Sequence, residues 1–294
     1  MERTAAHVAD TLCRCLHAYR YGTQMDANPI ALQPATLAAM EAVQQALLLS
    51  RDSAGSTEVH AKAGRDVVTD ADVEAETVIT QVLTDKTGLP VVGEEHGGQV
   101  PADGSEYWLV DPICGTRNYA SGAPLWSVNV ALVQAGTVTA AIVGDASTGQ
   151  LHVAERGRGA WALRDGNLDG LATSEDSRTI LVEEGKSSGD RRSLAARFAA
   201  AVIEADRWDF RSFGSTMSLA SIAAGRASCY VTFWLDSGVH AAAGSLLVAE
   251  AGGIVSDIAG DKWRLESDSI VATASLSLHS DVLALIAASA AIDD

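Results

Sequence analysis

Residues 108–119 read WLVDPICGTRNY. An apolar run from Trp108 to Val110 delivers one acid, Asp111, to a turn set by Pro112, and Gly115 and Thr116 open a helix behind it. Pro112 fixes the backbone so that Asp111 and the carbonyl of Ile113 face one cation. The amides of Gly115 and Thr116, at a helix start, offer donors to an anion. A hard cation beside a phosphate cradle is what phosphoryl transfer to water requires. Cys114 stands inside this turn, where an acid would be expected of an oxygen-rich cation site.

Two further acidic clusters sit at the edges of apolar segments: Asp66 and Asp72 in DVVTDAD, and Glu94 and Glu95 in VGEEHGG. One such cluster reads as solvated surface; three in sequence read as a site for an oxygen-loving cation. His96 and the two glycines after it suggest a mobile loop over that site. Trp108, Trp126, Tyr107 and Tyr119 flank the turn and read as its packing.

Apolar periodicity predicts helices from Pro34 to about 52 and after Thr69, then strands at LPVVGEE, YWLVD, WSVNVALVQAG, VTAAIVGDA and GQLHVAERG. An Asp/Gly-rich stretch at 165–177 leads to a second half: strands at TILVEEG, WDFRSF and SCYVTFW, and helices at RSLAARFAAAVIEA, STMSLASIAAG, AAAGSLLVAEAGG and SDVLALIAASAAI. This is an α/β layered architecture with antiparallel or mixed sheets. The expected division is an N-terminal helical arm over 1–33, an α/β half over 34–170 carrying the cation and phosphate motifs, and a half over 171–294 completing the site. In the arm, His7, Cys13, Cys15 and His17 lack tight ligand spacing and read as a packed helical face.

The chain has 294 residues with 38 Asp and Glu against 21 Lys and Arg, a formal net charge of -17. That charge opposes binding to a nucleic-acid polymer or an anionic membrane surface. No apolar run reaches the roughly 20 residues of a membrane span, the N-terminus lacks the pattern of a signal peptide, and the four cysteines form no disulfide framework. A cytoplasmic protein with a small-molecule ligand is expected.

DVVTDAD, VGEEHGG, WLVDPICGTRNY and AAAGSLLVAEAGG, in this order and at these separations, resemble the motifs of the inositol monophosphatase superfamily over about residues 34–290. The resemblance implies an α-β-α-β-α sandwich, a homodimer, and Mg²⁺-dependent hydrolysis of a small phosphorylated polyol, sugar or nucleotide. It implies that Glu94, Asp111 and the Ile113 carbonyl hold one Mg²⁺, that Thr116 and Glu95 orient the attacking water, and that Asp72 supports Thr116. The turn Cys114, Gly115 and Thr116 would cradle phosphate. Arg211, Ser212, Gly214, Ser215 and Thr216, in RSFGSTMSLASIAAG, would line the substrate side. Arg117 either binds a second anionic group or is a surface arginine.

The departures concentrate at the second metal. The family turn has Asp where this chain has Cys114, and its later Trp-Asp is Val239-His240 here. Loss of two carboxylates weakens a hard Mg²⁺ position, whereas Asp111, Cys114 and His240 form an O/S/N set suited to Zn²⁺. Asp236 is a candidate displaced acid. Alternatively, Cys114 and His240 form a thiolate–imidazolium dyad with the thiol pKa lowered, or both are passive. The functional expectation is a phosphatase with an altered second metal. The alternatives are a repurposed elimination, cyclisation or group-transfer enzyme using Cys114 and His240, and a non-catalytic binding protein.

Overall fold

The computed structural model describes residues 30–62, 67–164, 166–184 and 188–291. Residues 1–29, hence nearly all of the expected arm, and Asp66 lie outside them. Helix α1 (Pro34–Arg51) carries Pro at its start, and helix α2 (Asp70–Thr87) begins with a reciprocal capping box between Thr69 and Asp72. Between them lies a short hairpin of β1 (Val59–Ala61) and β2 (Val67–Thr69).

Seven strands form the first sheet in sequential order: β3 (Val91–Gly93), β4 (Tyr107–Cys114), β5 (Ser127–Gln134), β6 (Thr137–Asp145), β7 (Leu151–Glu155), β8 (Gly159–Arg164) and β9 (Asn167–Gly170). All neighbours are antiparallel except β3 and β4. Both faces are apolar. On β5, Val128, Val130 and Leu132 pack toward α1 and α2, while Ala131 and Val133 face the opposite way. That alternation is the period of two expected of a strand covered on both sides.

The second sheet runs β11 (Asp209–Arg211), β10 (Thr179–Glu183), β12 (Cys229–Thr232), β14 (Ile270–Thr273), β13 (Ile254–Ser256). Helices α5 (Met217–Ala223) and α6 (Val239–Glu250) fill the space between the sheets, and α4 (Gly189–Glu204) and α7 (Leu276–Ala290) cover the outer face of the second. The five layers are the α-β-α-β-α sandwich. The unbroken run of small and apolar side chains from Ala241 to Val248 on α6 follows from this central position, since a helix covered on all sides has no polar face. Gly244 is needed there: a Cβ would lie 2.5 Å from Leu219 Cδ1 on α5.

The sequence reading left out β1 and β2, took the residues of β9 for a connector, and missed β8, β13 and β14, all six segments of three to six residues. Segments that short carry too few alternations to register a period. It also stopped a strand at Asp111, whereas β4 continues to Cys114. Among the described residues no helix is long and apolar enough to cross a membrane.

Candidate active site

Strand β4 decides the geometry. Asp111 pairs with Asn129 and Cys114 with Ser127, so three steps on β4 match two on β5. Alternation alone would send positions 111 and 114 to opposite faces; the extra residue at Pro112–Ile113 is a bulge that returns them to one face. The turn then breaks at Gly115, in the left-handed region at φ 96°, where a Cβ would meet Leu125 O at 3.0 Å. Helix α3 (Thr116–Ala120) follows, only five residues long. A cleft of about 330 Å³ opens over this turn.

Asp111, Cys114 and His240 each present one ligand atom within 4.8 Å of the others. His240, on the first turn of α6, places Nδ1 3.0 Å from Asp111 Oδ2 and Nε2 3.2 Å from Asp236 Oδ1. Burial disfavours charge on this ring, but hydrogen bonds to Asp111, Asp236 and Cys114 outweigh it and raise its pKa well above the ordinary value. Asp236 thus reaches the site as a partner of His240. Cys114 Sγ accepts from the amide of Thr216 at 3.2 Å and from its hydroxyl at 3.0 Å. Burial and the neighbouring Asp111 push the thiol up to about 11, against the hydrogen bonds from His240 and Thr216. This is opposite to the lowered thiol pKa expected of a dyad, because the thiol is buried and lies near the Asp111 carboxylate.

Thr116 Oγ1 lies 3.2 Å from Asp72 Oδ1 and 3.1 Å from the Ile113 carbonyl, which share its proton. Asp72 Oδ2 is occupied by the amide and hydroxyl of Thr69, at 2.8 and 2.6 Å. One carboxylate thus both caps α2 and holds Thr116. Glu94 and Glu95 follow β3 and share Lys62, whose Nζ is 3.3 Å from Glu94 and 2.6 Å from Glu95. Burial and Asp111 raise Glu94 to about 8, despite the nearby His240 and Lys62. The loop is not loose: buried Glu76 accepts from the amides of Glu95 at 2.7 Å and His96 at 2.8 Å, with His96 Nδ1 at 3.0 Å.

Asp111 Oδ1 is buried with no hydrogen-bond partner among the described residues. An orphaned buried carboxylate oxygen on a residue that interacts electrostatically with Glu94 fits a divalent cation, which would compete with the proton on Glu94.

The model of the inositol monophosphatase family matches residues 30–291. The chain belongs to the inositol monophosphatase family. The inositol-1-monophosphatase of Mesorhizobium japonicum is 32% identical over 234 residues, covering 76% of this chain and 85% of that protein. A histidinol-phosphatase of Mycobacterium tuberculosis is 33% identical over 225 residues, covering 74% and 83%. The solved IMPase of Thermotoga maritima superposes with a TM-score of 0.74 at 25% identity, over 85% of this chain and 95% of that one.

Against the inositol monophosphatase motifs, Arg117, Ser212, Gly214, Ser215 and Thr216 all line the cleft. Arg211 does not: it is exposed on the edge strand β11, outside the cleft lining, and its Nη1 donates to the Phe210 carbonyl at 2.7 Å. Thr216 is a tie more than an open contact, because Asn129 Nδ2 donates to its hydroxyl at 2.9 Å while the same oxygen is 2.7 Å from the His240 carbonyl. Tyr119 and Trp126 pack edge to face at 5.0 Å beneath the turn.

Four residues of the site escaped the sequence reading. Glu76 follows Asp72 by four, on one helix face, which was a usable signal. Asn129 is the polar interruption in an otherwise apolar strand. Glu183 ends an apolar strand and lines the cleft. Lys62 had no local pattern to mark it.

Proposed function

We propose that this protein hydrolyses the phosphate monoester of a small alcohol, with Mg²⁺ held by Glu94, Asp111 and the Ile113 carbonyl and Zn²⁺ held by Asp111, Cys114 and His240. The observation that carries it is the Asp72–Thr116 hydrogen bond beside a converged O/S/N set, with Thr116, Cys114 and His240 all lining one cleft. On the same reading the substrate is a phosphorylated polyol, sugar or nucleotide, and the enzyme acts as a cytoplasmic homodimer. Bound there, the cations would supply Lewis acidity and neutralise phosphoryl charge. The chain does the rest: Asp72 accepts the Thr116 proton, Thr116 and Glu95 orient water, and the turn from Cys114 to Thr116 with Arg117 receives the phosphate. Lys62 neutralises Glu95 and keeps the pair of acids in place. The raised thiol pKa of Cys114 disfavours the dyad reading.

The test is release of inorganic phosphate from p-nitrophenyl phosphate by metal-stripped protein given Mg²⁺, Zn²⁺ or both. Turnover with both ions is expected to exceed that with either alone. No release under any condition overturns the reading.

Zinc binding should also discharge protons. A thiol raised to about 11 and an imidazole raised above its ordinary value must both deprotonate before they can ligate. Calorimetry in buffers of different ionisation enthalpy should show about two protons released per zinc at neutral pH, falling to about one in Cys114→Ser. Release of none places the zinc elsewhere.

A further inference from the structure

The far wall of the cleft is built at the C-terminal ends of two parallel strands, where open α/β sheets place their ligands. Glu183 ends β10 in register with Thr232 at the end of β12, and Tyr230 lies two residues before Thr232. All three line the cleft, with Leu219, Trp234 and Leu235 completing an apolar surround.

The other two acids at this end are engaged by cations. Glu184 pairs with Arg192 at 3.1 Å and Asp236 with His240 at 3.2 Å. Glu183 is held by uncharged donors only: Oε1 accepts from the Gly214 amide at 2.8 Å and the Ser218 hydroxyl at 3.0 Å, and Oε2 accepts from the Tyr230 hydroxyl at 3.2 Å. No cation sits against it among the described residues. The Phe213 amide also acts on this carboxylate, and Tyr230 is the side chain against Oε2. Burial raises the pKa of this group, against hydrogen bonds led by that of the Gly214 amide. A carboxylate in the wall of a cleft of about 330 Å³, with no cation against it among the described residues, fits a donor on the ligand.

We propose that Glu183 selects the leaving alcohol, taking a hydroxyl or ammonium hydrogen-bond donor carried by the alcohol, so that the cleft prefers phosphate esters of donor-bearing small alcohols over plain alkyl phosphates. This rests on the cleft being a phosphate-ester site. Glu183 also props the 212–216 loop through Gly214, so overall affinity alone would not separate selection from support. The selectivity between matched esters does, because a prop acts on every ester equally.

The experiment compares glycerol 1-phosphate and 2-aminoethyl phosphate with propyl phosphate, by KM and kcat where an ester turns over and by calorimetric Kd where it does not. The wild-type chain should favour the donor-bearing esters by about 10²-fold, since a site built around a hydrogen bond rejects the ligand lacking it. The larger gain among the two tells whether hydroxyl or ammonium is the natural donor. Glu183→Gln keeps a carbonyl oxygen for Gly214 and should shrink the gap to a few-fold, on top of any loss common to all three esters. Equal wild-type affinities overturn the proposal without any variant, as does an equal loss for all three esters in Glu183→Gln. Discrimination without turnover would sustain it and overturn the hydrolytic reading instead; turnover without discrimination does the reverse.

Discussion

Thr116→Ala should lower phosphate-ester turnover by about 10²–10³-fold, the usual effect of removing one oriented catalytic contact. Asp72→Asn should fall in the same range, and the double variant should lose little more than either, because Asp72 acts on water only through Thr116 at 3.2 Å. Single-turnover rates on the metal-loaded protein are the measurement. Additive losses would show that the two residues act separately. A pH signature accompanies this. Burial, with Glu95 and Asp111 adding to it, raises the Asp72 carboxyl from 3.8 to about 6, against its hydrogen bonds from Thr69. A carboxyl whose folded pKa exceeds its unfolded one binds more protons when folded, so the Asp72 contribution to stability falls as pH rises between those two values and is level above about 6, where that of Glu94, raised to about 8, still falls. Denaturant midpoints of metal-free protein should show that decline, and Asp72→Asn should flatten it. Turnover should move oppositely, dropping as pH falls below about 6, where Asp72 no longer accepts the Thr116 proton.

Cys114→Asp combined with His240→Asp should raise turnover with Mg²⁺ alone by about 10²–10³-fold, since it returns two hard oxygen ligands to a cation that stabilises phosphoryl charge. Either change alone should do far less. With His240 retained, the new acid at 114 is drawn into an ion pair with it; with Cys114 retained, the hard cation still lacks one ligand. In the absence of metal the double variant crowds three acids around 0%-exposed Asp111, so its thermal midpoint should be low and rise steeply with Mg²⁺ concentration. Cys114→Ser provides the complementary measurement: zinc content and activity should fall together, because a hydroxyl is a poor zinc ligand. If wild-type protein already reaches ordinary enzyme rates with Mg²⁺ alone, the paired substitutions are passive.

The sequence by itself determined the layered α/β class, the long helices and strands, and the residue types of the site. Those signals are local: period two in SVNVALVQ, period 3.6 in ATLAAMEAVQQALL, and acids at the ends of apolar runs. Through motif order it also marked Asp72, Glu94, Asp111 and Thr116 as one candidate site. It could not fix where side chains point across the bulge. Positions 111 and 114 share a face only because β5 forces an extra residue into β4, and that register is a property of the pair of strands. Nor could it set proton affinities. A thiolate–imidazolium dyad is one reading of Cys114 beside a helix start, yet burial of the thiol and the neighbouring Asp111 push its pKa the other way. Lys62, Glu76, Asn129 and Glu183 lie 18 to 87 positions from the partners they hold, and Arg211 turns out of the cleft that its motif implied. Contacts at such separations are made when sheets and helices pack, so only the tertiary structure decides them.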